Sequence, residues 1–241
     1  MKNKLGDVLS QNEIDSLLQA LNTGELSMQE IESATDEKKI RKHDFRRPTK
    51  FSKEHLKALR SIYENYARLT TNFLTAYLRT ITQIDVVEVE SLAYTDFMSS
   101  ISNPVILGVT SFAPLEGNVI FEISANIAFA LIDRILGGKG MGTEKVRDFT
   151  EIEIAIIERI IVQMLNLMIE PWRDVITIRP TLERIETSTQ FAQLVSPNEI
   201  VALITFNIKL SDTEGMLNIC IPYITVEPVI SKLSTRYWFS S

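Results

Sequence analysis

The strongest constraint on what this chain can fold into is a repeat. From Phe51 onward, the pattern of helix caps, apolar positions and turns returns at an offset of 98 residues. Phe51-Ser52 falls on Phe149-Thr150, and each pair has the character of a hydrophobic entry followed by the N-cap of a long helix. Leu56, Leu59, Ile62, Tyr63, Tyr66 and Leu69 fall on Ile154, Ile157, Ile160, Ile161, Met164 and Leu167, one helical stripe upon another. Glu116-Gly117 falls on Glu214-Gly215, and Val119-Ile120-Phe121-Glu122-Ile123 falls on Leu217-Asn218-Ile219-Cys220-Ile221. Chance rarely aligns caps, stripes and turns together, so the chain is expected to build two like units about a pseudo-symmetry axis.

Each half reads the same way. A long helix (about 52–81 and 150–170) precedes a strand (about 84–94 and 175–187). A hairpin follows (105–113 with 118–123, and 200–210 with 215–221), and a short helix closes the half (125–136 and 223–234). The hairpin turns carry turn-forming residues from Pro114 to Asn118 and from Ser211 to Gly215. The strands are rich in Val, Ile and Phe. The expected fold is α/β, internally duplicated, with pseudo-two-fold α-β-β-β-α halves (about 51–136 and 149–234) in one domain over 44–236, its sheet covered on one face by helices. A weaker match around Pro104 and Ala202 predicts a small insertion there.

Ahead of the duplication stands a separate short helix, within residues 1–24. Ser10 and Glu13 have the spacing of a capping box, with Leu9 and Ile14 placed for a hydrophobic staple. Ile14, Leu17, Leu18 and Leu21 then form one apolar stripe, Glu13 and Asp15 suit the positive end of the helix dipole, and Gly24 is a plausible stop. Such a helix is too short to be stable alone. The stretch after it, about 25–43, is polar and charged with no apolar period, and reads as a flexible tether of roughly 25 Å end to end. An apolar stripe on a tether is read as a helix that docks in a partner's groove; docking on the chain's own core is the other reading. The basic run from Lys38 to Arg47 either steers an acidic partner or is simply solvated.

Catalytic patterns are scarce. The two histidines, His43 and His55, have no ligand-spaced Cys or His partner, and the single cysteine, Cys220, sits in a predicted strand as a small core residue. Glu151, Glu153 and Glu158 share a helix, but the first two enrich its first turn. No nucleophile elbow or Ser/His/Asp set is present, and the expectation is that the chain is not an enzyme and carries no cofactor and no metal. A net charge of −6 argues against a general nucleic-acid binder, and neither a small-molecule substrate nor a nucleic acid is expected as partner. No run approaches the length of a membrane span. The segment Gly137-Gly138-Lys139-Gly140-Met141-Gly142-Thr143 follows a predicted helix instead of opening one, so it is no phosphate loop. It reads as a helix C-cap and connector whose bare backbone lets a partner approach closely.

Several of these motifs resemble the FliM family of flagellar motor switch proteins. They are Leu9-Ser10-Gln11-Asn12-Glu13-Ile14-Asp15-Ser16-Leu17-Leu18, Asp44-Phe45-Arg46-Arg47-Pro48, the Gly137–Gly140 segment, Ser196-Pro197-Asn198-Glu199, and Lys232-Leu233-Ser234-Thr235-Arg236-Tyr237-Trp238. The resemblance implies a CheC/CheX/FliM-like middle domain standing beside neighbouring FliM copies in the cytoplasmic C ring, at the inner face of the cell membrane. It implies that the N-terminal helix binds phosphorylated CheY, with Ile14, Asp15, Leu17 and Leu18 as docking face and Leu9, Ser10, Gln11, Asn12, Glu13 and Leu21 around it. It also implies that Gly137, Gly138, Lys139 and Gly140 contact FliG. No counterpart of the family's C-terminal FliN-binding domain is expected in this sequence. Residues 237–241 are expected to be its stub, so FliN as a partner of this chain is doubtful. The alternative within the fold is a CheC/CheX-like phosphatase of phosphorylated CheY. It needs Asp or Ser four residues before a helical Glu and Asn three after it. Glu158 has Ile154 and Ile161 at those places, Glu153 has Phe149 and Ile156, Glu64 has Arg60 and Ala67, and Glu54 has Lys50 and Lys57. An apolar side chain cannot orient water, so this reading is the weaker one.

Overall fold

The structure is a computed structural model; it describes residues 50–142 and 147–233. The expected docking helix, the tether and the residues after Leu233 lie outside the described residues. In chain order the elements are α1 (Lys53–Leu78), β1 (Thr82–Ala93), α2 (Tyr94–Ser100), β2 (Val105–Ala113), β3 (Asn118–Ser124), α3 (Ala125–Ile135), α4 (Glu151–Asn166), α5 (Ile169–Trp172), β4 (Arg179–Glu186), β5 (Ile200–Leu210), β6 (Thr213–Pro222) and α6 (Tyr223–Val226), with 3₁₀ turns at Thr189–Phe191 and Glu227–Lys232.

The two long helices begin alike because their caps are chemically alike. Ser52 Oγ accepts from the His55 amide at 3.2 Å while His55 Nδ1 accepts from the Ser52 amide at 3.2 Å. Thr150 Oγ1 accepts from the Glu153 amide at 3.3 Å while Glu153 Oε2 accepts from the Thr150 amide at 2.8 Å. Each is a capping box, worth about 1 kcal/mol of helix. The buried stripes, Leu59, Ile62, Tyr63 and Tyr66 on α1 and Ile157, Ile160, Ile161 and Met164 on α4, follow from the apolar spacing. They press on the sheet through an edge-on aromatic cluster in which Phe206 of β5 lies 6.1 Å from Tyr63 and 6.0 Å from Tyr66.

All six strands form one antiparallel sheet in the order β1-β5-β6-β3-β2-β4. Exchanging each strand for its repeat mate reverses this order, so a pseudo-two-fold axis passes between β3 and β6. Phe121 pairs with Ile219, its own equivalent, at that axis; Ile120 pairs with Cys220 and Glu122 with Asn218 on either side of it. The halves are interlocked: β1 pairs with β5 of the other half, and β4 with β2.

The helices cover one face, as expected. The other face is half covered too. A second apolar cluster joins Leu107, Ile120, Leu203 and Cys220 of the sheet to Tyr94 and Phe97 of α2 and to Ala192. Neither α2 nor the 3₁₀ turn at Thr189–Phe191 is foreshadowed by the repeat, because the two halves follow different paths there.

Four expectations are corrected. The predicted insertion near Pro104 and Ala202 is not there: Ile84 pairs with Ile208 and the equivalent Leu182 with Thr110, so the offset holds across the mismatch, which is a divergence of path at equal length. The closing helix expected over 223–234 is a four-residue α turn running into a 3₁₀ turn, because Pro228 has no N–H to extend an α ladder. The expected strand over 175–187 starts at Arg179, since Val175 and Ile176 donate back to the Trp172 carbonyl at 2.9 Å and so extend the turn that ends α5. The second hairpin turns at Ser211-Asp212 alone, with Ser211 in the left-handed region at φ 54°, and residues 213–215 join β6. Its register is therefore two residues tighter than that of the first hairpin, which turns over Pro114 to Gly117. A slip of two leaves every side chain on its original face.

Candidate partner-binding loop

Helix α3 carries a basic residue, Arg134, in its last turn, and Leu136 then leads into the glycines. Gly137 leaves the helix at φ 93°, a conformation disfavoured for any residue with a Cβ, and the amides of Gly137 and Gly138 turn back to the carbonyls of Arg134 and Asp133 at 3.1 and 2.8 Å. The rest of the loop is held by side chains that the sequence reading did not single out. The Asp133 carboxylate accepts from the Gly140 amide at 2.8 Å and the Met141 amide at 3.3 Å. The Arg134 guanidinium donates to the Gly138 carbonyl at 2.8 Å, and to the carbonyls of Leu78 and Arg79 at 2.7 and 3.0 Å, closing off the last carbonyls of α1. Thr213, the first residue of β6, donates to the Gly140 carbonyl at 2.9 Å and accepts from the Gly142 amide at 3.3 Å. Three side chains, two from α3 and one from β6, thus clamp one loop.

This changes the reason for the glycines. A Cβ at Gly138 would come within 2.1 Å of the Asp133 carboxylate, and one at Gly140 within 2.8 Å of the Arg134 side chain. Gly140 is buried. Two of the glycines are therefore required by the loop's own packing, whereas Gly137 meets nothing within 4 Å and needs only its positive φ. The exposed surface of the loop is Gly137 and Lys139 together with two apolar side chains the sequence reading passed over, Leu136 at 69% and Met141 at 70% exposure. The signal for them was a leucine and a methionine set directly against the glycines, where no core stripe continues. Beside them Arg147 lies 4.5 Å over the Phe129 ring and grips the Glu153 carboxylate at 2.5 and 2.9 Å. That guanidinium, together with the capping bonds, holds the Glu153 carboxyl down at about 2.

Among the described residues the remaining ionisable groups do not gather into a catalytic set. The positions flanking Glu158 that would have to orient water are Ile154, half-buried, and Ile161, fully buried. Cys220 is buried, which pushes its thiol far up and out of reactive range. Among the described residues no cluster of three or more His, Cys, Asp or Glu is placed to hold a metal ion, and no helix is long and apolar enough to cross a membrane. The expected docking residues, from Leu9 to Leu21, lie outside the described residues.

Residues 52–238 match the family described as flagellar motor switch protein FliM. The flagellar motor switch protein FliM of Treponema pallidum is 47% identical over 235 residues, which is 98% of this chain and 68% of that protein. The protein of the same name from Bacillus subtilis is 41% identical, over 98% of this chain and 71% of that one. Among solved structures, a chain of the FliG-FliM complex from H. pylori superposes with a TM-score of 0.74 at 35% identity, covering 76% of this chain and all of that one.

Proposed function

The chain belongs to the FliM family of flagellar motor switch proteins, and on that premise we propose that it couples a chemotaxis signal to the motor by binding FliG through the clamped loop and phosphorylated CheY through its N-terminal helix. The observation that carries the first half is the loop itself. Leu136 and Met141 stand exposed on a frame fixed by Asp133, Arg134 and Thr213. A rigid frame spends little ordering entropy on binding, and two apolar anchors beside a bare backbone make a compact contact. The contact surface is therefore Gly137 and Lys139, as read from sequence, with Leu136 and Met141 added, while Gly138 and Gly140, also read as contacts from sequence, hold the loop's shape. That a FliM chain has been solved with FliG supports the choice of partner.

The second half rests on the residues Leu9 to Leu21. The helix folds as it docks, which limits affinity and speeds release, and the tether raises the local concentration of CheY near the duplicated domain. CheY then shifts the loop's orientation toward FliG only in so far as it prefers one of two arrangements. Neighbouring copies in a ring share interfaces, which steepens the response. The protein works as an adaptor at the cytoplasmic face of the flagellar basal body. A phosphatase role is not favoured, because Ile154 and Ile161 occupy the places where the water-orienting groups would stand.

The test is a pair of titrations with the full chain. Leu136→Asp with Met141→Asp weakens FliG binding by about tenfold or more and spares CheY, while Leu17→Ala weakens binding of phosphorylated CheY and spares FliG. Unchanged FliG affinity in the double variant refutes the loop assignment. Equal damage to both partners by either change refutes the division of labour.

A further inference from the structure

The sheet face opposite the long helices is closed on one side of the pseudo-two-fold axis and open on the other. On the closed side the axial neighbours Ile120 and Cys220 lie under α2. On the open side the equivalent cross-strand pair is Glu122 and Asn218, and it floors a cleft of about 600 Å³. Glu122 is only 4% exposed. Asn218 Nδ2 donates to Glu122 Oε2 at 2.6 Å, among the described residues no hydrogen bond reaches Glu122 Oε1, and the buried Asn218 Oδ1 has no partner. A buried carboxyl served by a single donor, beside a buried amide oxygen served by none, is an expensive arrangement for a floor that needs only to be filled, as its apolar twin across the axis shows.

The walls say what kind of donor fits. Ile101, Pro104, Leu203 and Met216 supply apolar surface, and Glu90 of β1 adds a second carboxylate. The cation among the described lining residues, Arg147, is held by both oxygens of Glu153 and by the Phe129 ring. The cleft thus combines the acceptors of Glu122 and Asn218 with the hydroxyl groups of Ser124 and Thr205 and an apolar wall. A metal ion is not the occupant that this set selects, because no metal-ligating cluster exists among the described residues and the amide-carboxyl pair is a hydrogen-bond acceptor surface.

We propose that this cleft binds a guanidinium or ammonium group carried on a short apolar stem, with the Glu122 carboxyl and the Asn218 carboxamide oxygen as its acceptors. The site is separate from the glycine loop's contact surface and does not depend on the FliG assignment. Its occupant is either a basic side chain of another protein or a free alkyl amine; both present the same chemistry. Burial pushes the Glu122 carboxyl up to about 7, with the Asn218 hydrogen bond working against that rise. A bound cation favours the ionised form, so binding releases a proton and tightens as pH rises. From one unit below that midpoint to one above, affinity increases by about tenfold.

The experiment titrates the full chain, uniformly labelled with carbon and nitrogen isotopes, with butylguanidinium, with the tripeptide acetyl-Gly-Arg-Gly-amide, and with butylurea as a neutral isostere, all followed by NMR. The expected result is that both cationic probes move the signals of Glu122, Asn218 and Met216 and lower the titration midpoint of Glu122, that butylurea does neither, and that Glu122→Gln removes the pH dependence. Tighter binding of the tripeptide identifies a partner's side chain as the source; tighter binding of butylguanidinium identifies a small amine. Equal response to butylurea, an unmoved Glu122 midpoint at millimolar cation, or unchanged binding in Glu122→Gln overturns the proposal. The midpoint is read in the unsubstituted protein, so the test survives a variant that fails to fold.

Discussion

Replacing Gly138 with alanine tests whether the loop's glycines serve its internal packing. The new methyl would stand 2.1–2.3 Å from the atoms of the Asp133 carboxylate, so that carboxylate must rotate away. Doing so breaks its bonds to the Gly140 and Met141 amides at 2.8 and 3.3 Å. A hydrogen bond to a charged group contributes about 1.5–3 kcal/mol when buried, and these are partly exposed, so about 1 kcal/mol each and about 2 kcal/mol in all is the expected loss. Asp133→Ala removes the same two bonds and costs a similar amount. The double variant then loses about 2 kcal/mol and not about 4, because the methyl occupies space the carboxylate has left. Urea unfolding of the four proteins gives the cycle, and amide exchange at Gly140 and Met141 locates the effect. Strictly additive losses would refute the reasoning, since the glycine would then be required for something other than room for Asp133.

Other expectations follow from the same structure. Glu122 has a folded pKa of about 7, raised from 4.5 by burial; its stabilising contribution is complete below 4.5 and is lost as pH rises through 7, on the order of 3 kcal/mol, so Glu122→Gln unfolds at higher urea than the parent at pH 8 and flattens that limb. Glu153 behaves oppositely: its folded pKa of about 2 lies below 4.5, its contribution is present above 4.5 and disappears as pH falls toward 2, and Glu153→Gln removes that portion of the acid transition. Phe206→Ala empties the centre of the aromatic cluster and lowers stability by about 3–5 kcal/mol in urea unfolding. Cys220 in the native protein reacts with thiol reagents only as fast as the sheet opens, so its labelling rate rises steeply with urea.

The repeat made the element order and the paired helix caps legible before any coordinates, because the signals that set them, a Ser or Thr before an apolar stripe and turn residues between β-rich runs, are local. It could not reveal the strand order. An offset says that β1 resembles β4; it does not say that β1 pairs with β5, which is decided by packing across the axis. The second apolar face was hidden for a similar reason. Glu122 and Asn218 make that face read as solvent-facing, and the cover over Ile120 and Cys220 comes from α2 and Ala192, distant in sequence. At the loop, the glycines were visible as permissive backbone. The role of Asp133 was not, because its partners are amides seven and eight residues on, reached only after the chain has doubled back. His55 looked idle and proves to be half of a capping box in which it stands where glutamate stands in the second repeat.

The exchange of outer strands has a consequence for the history and handling of the molecule. Because β1 completes the sheet of the second half and β4 that of the first, neither half closes its own edge. A single copy of the repeat, freed from its sibling, would be a strand-swapped dimer with a true two-fold, and the present chain is that dimer joined end to end. Cutting it in the connector between α3 and α4 should therefore yield two fragments that are poorly folded apart and reassemble on mixing, and the rate of that reassembly would depend on fragment concentration where the folding of the joined chain does not.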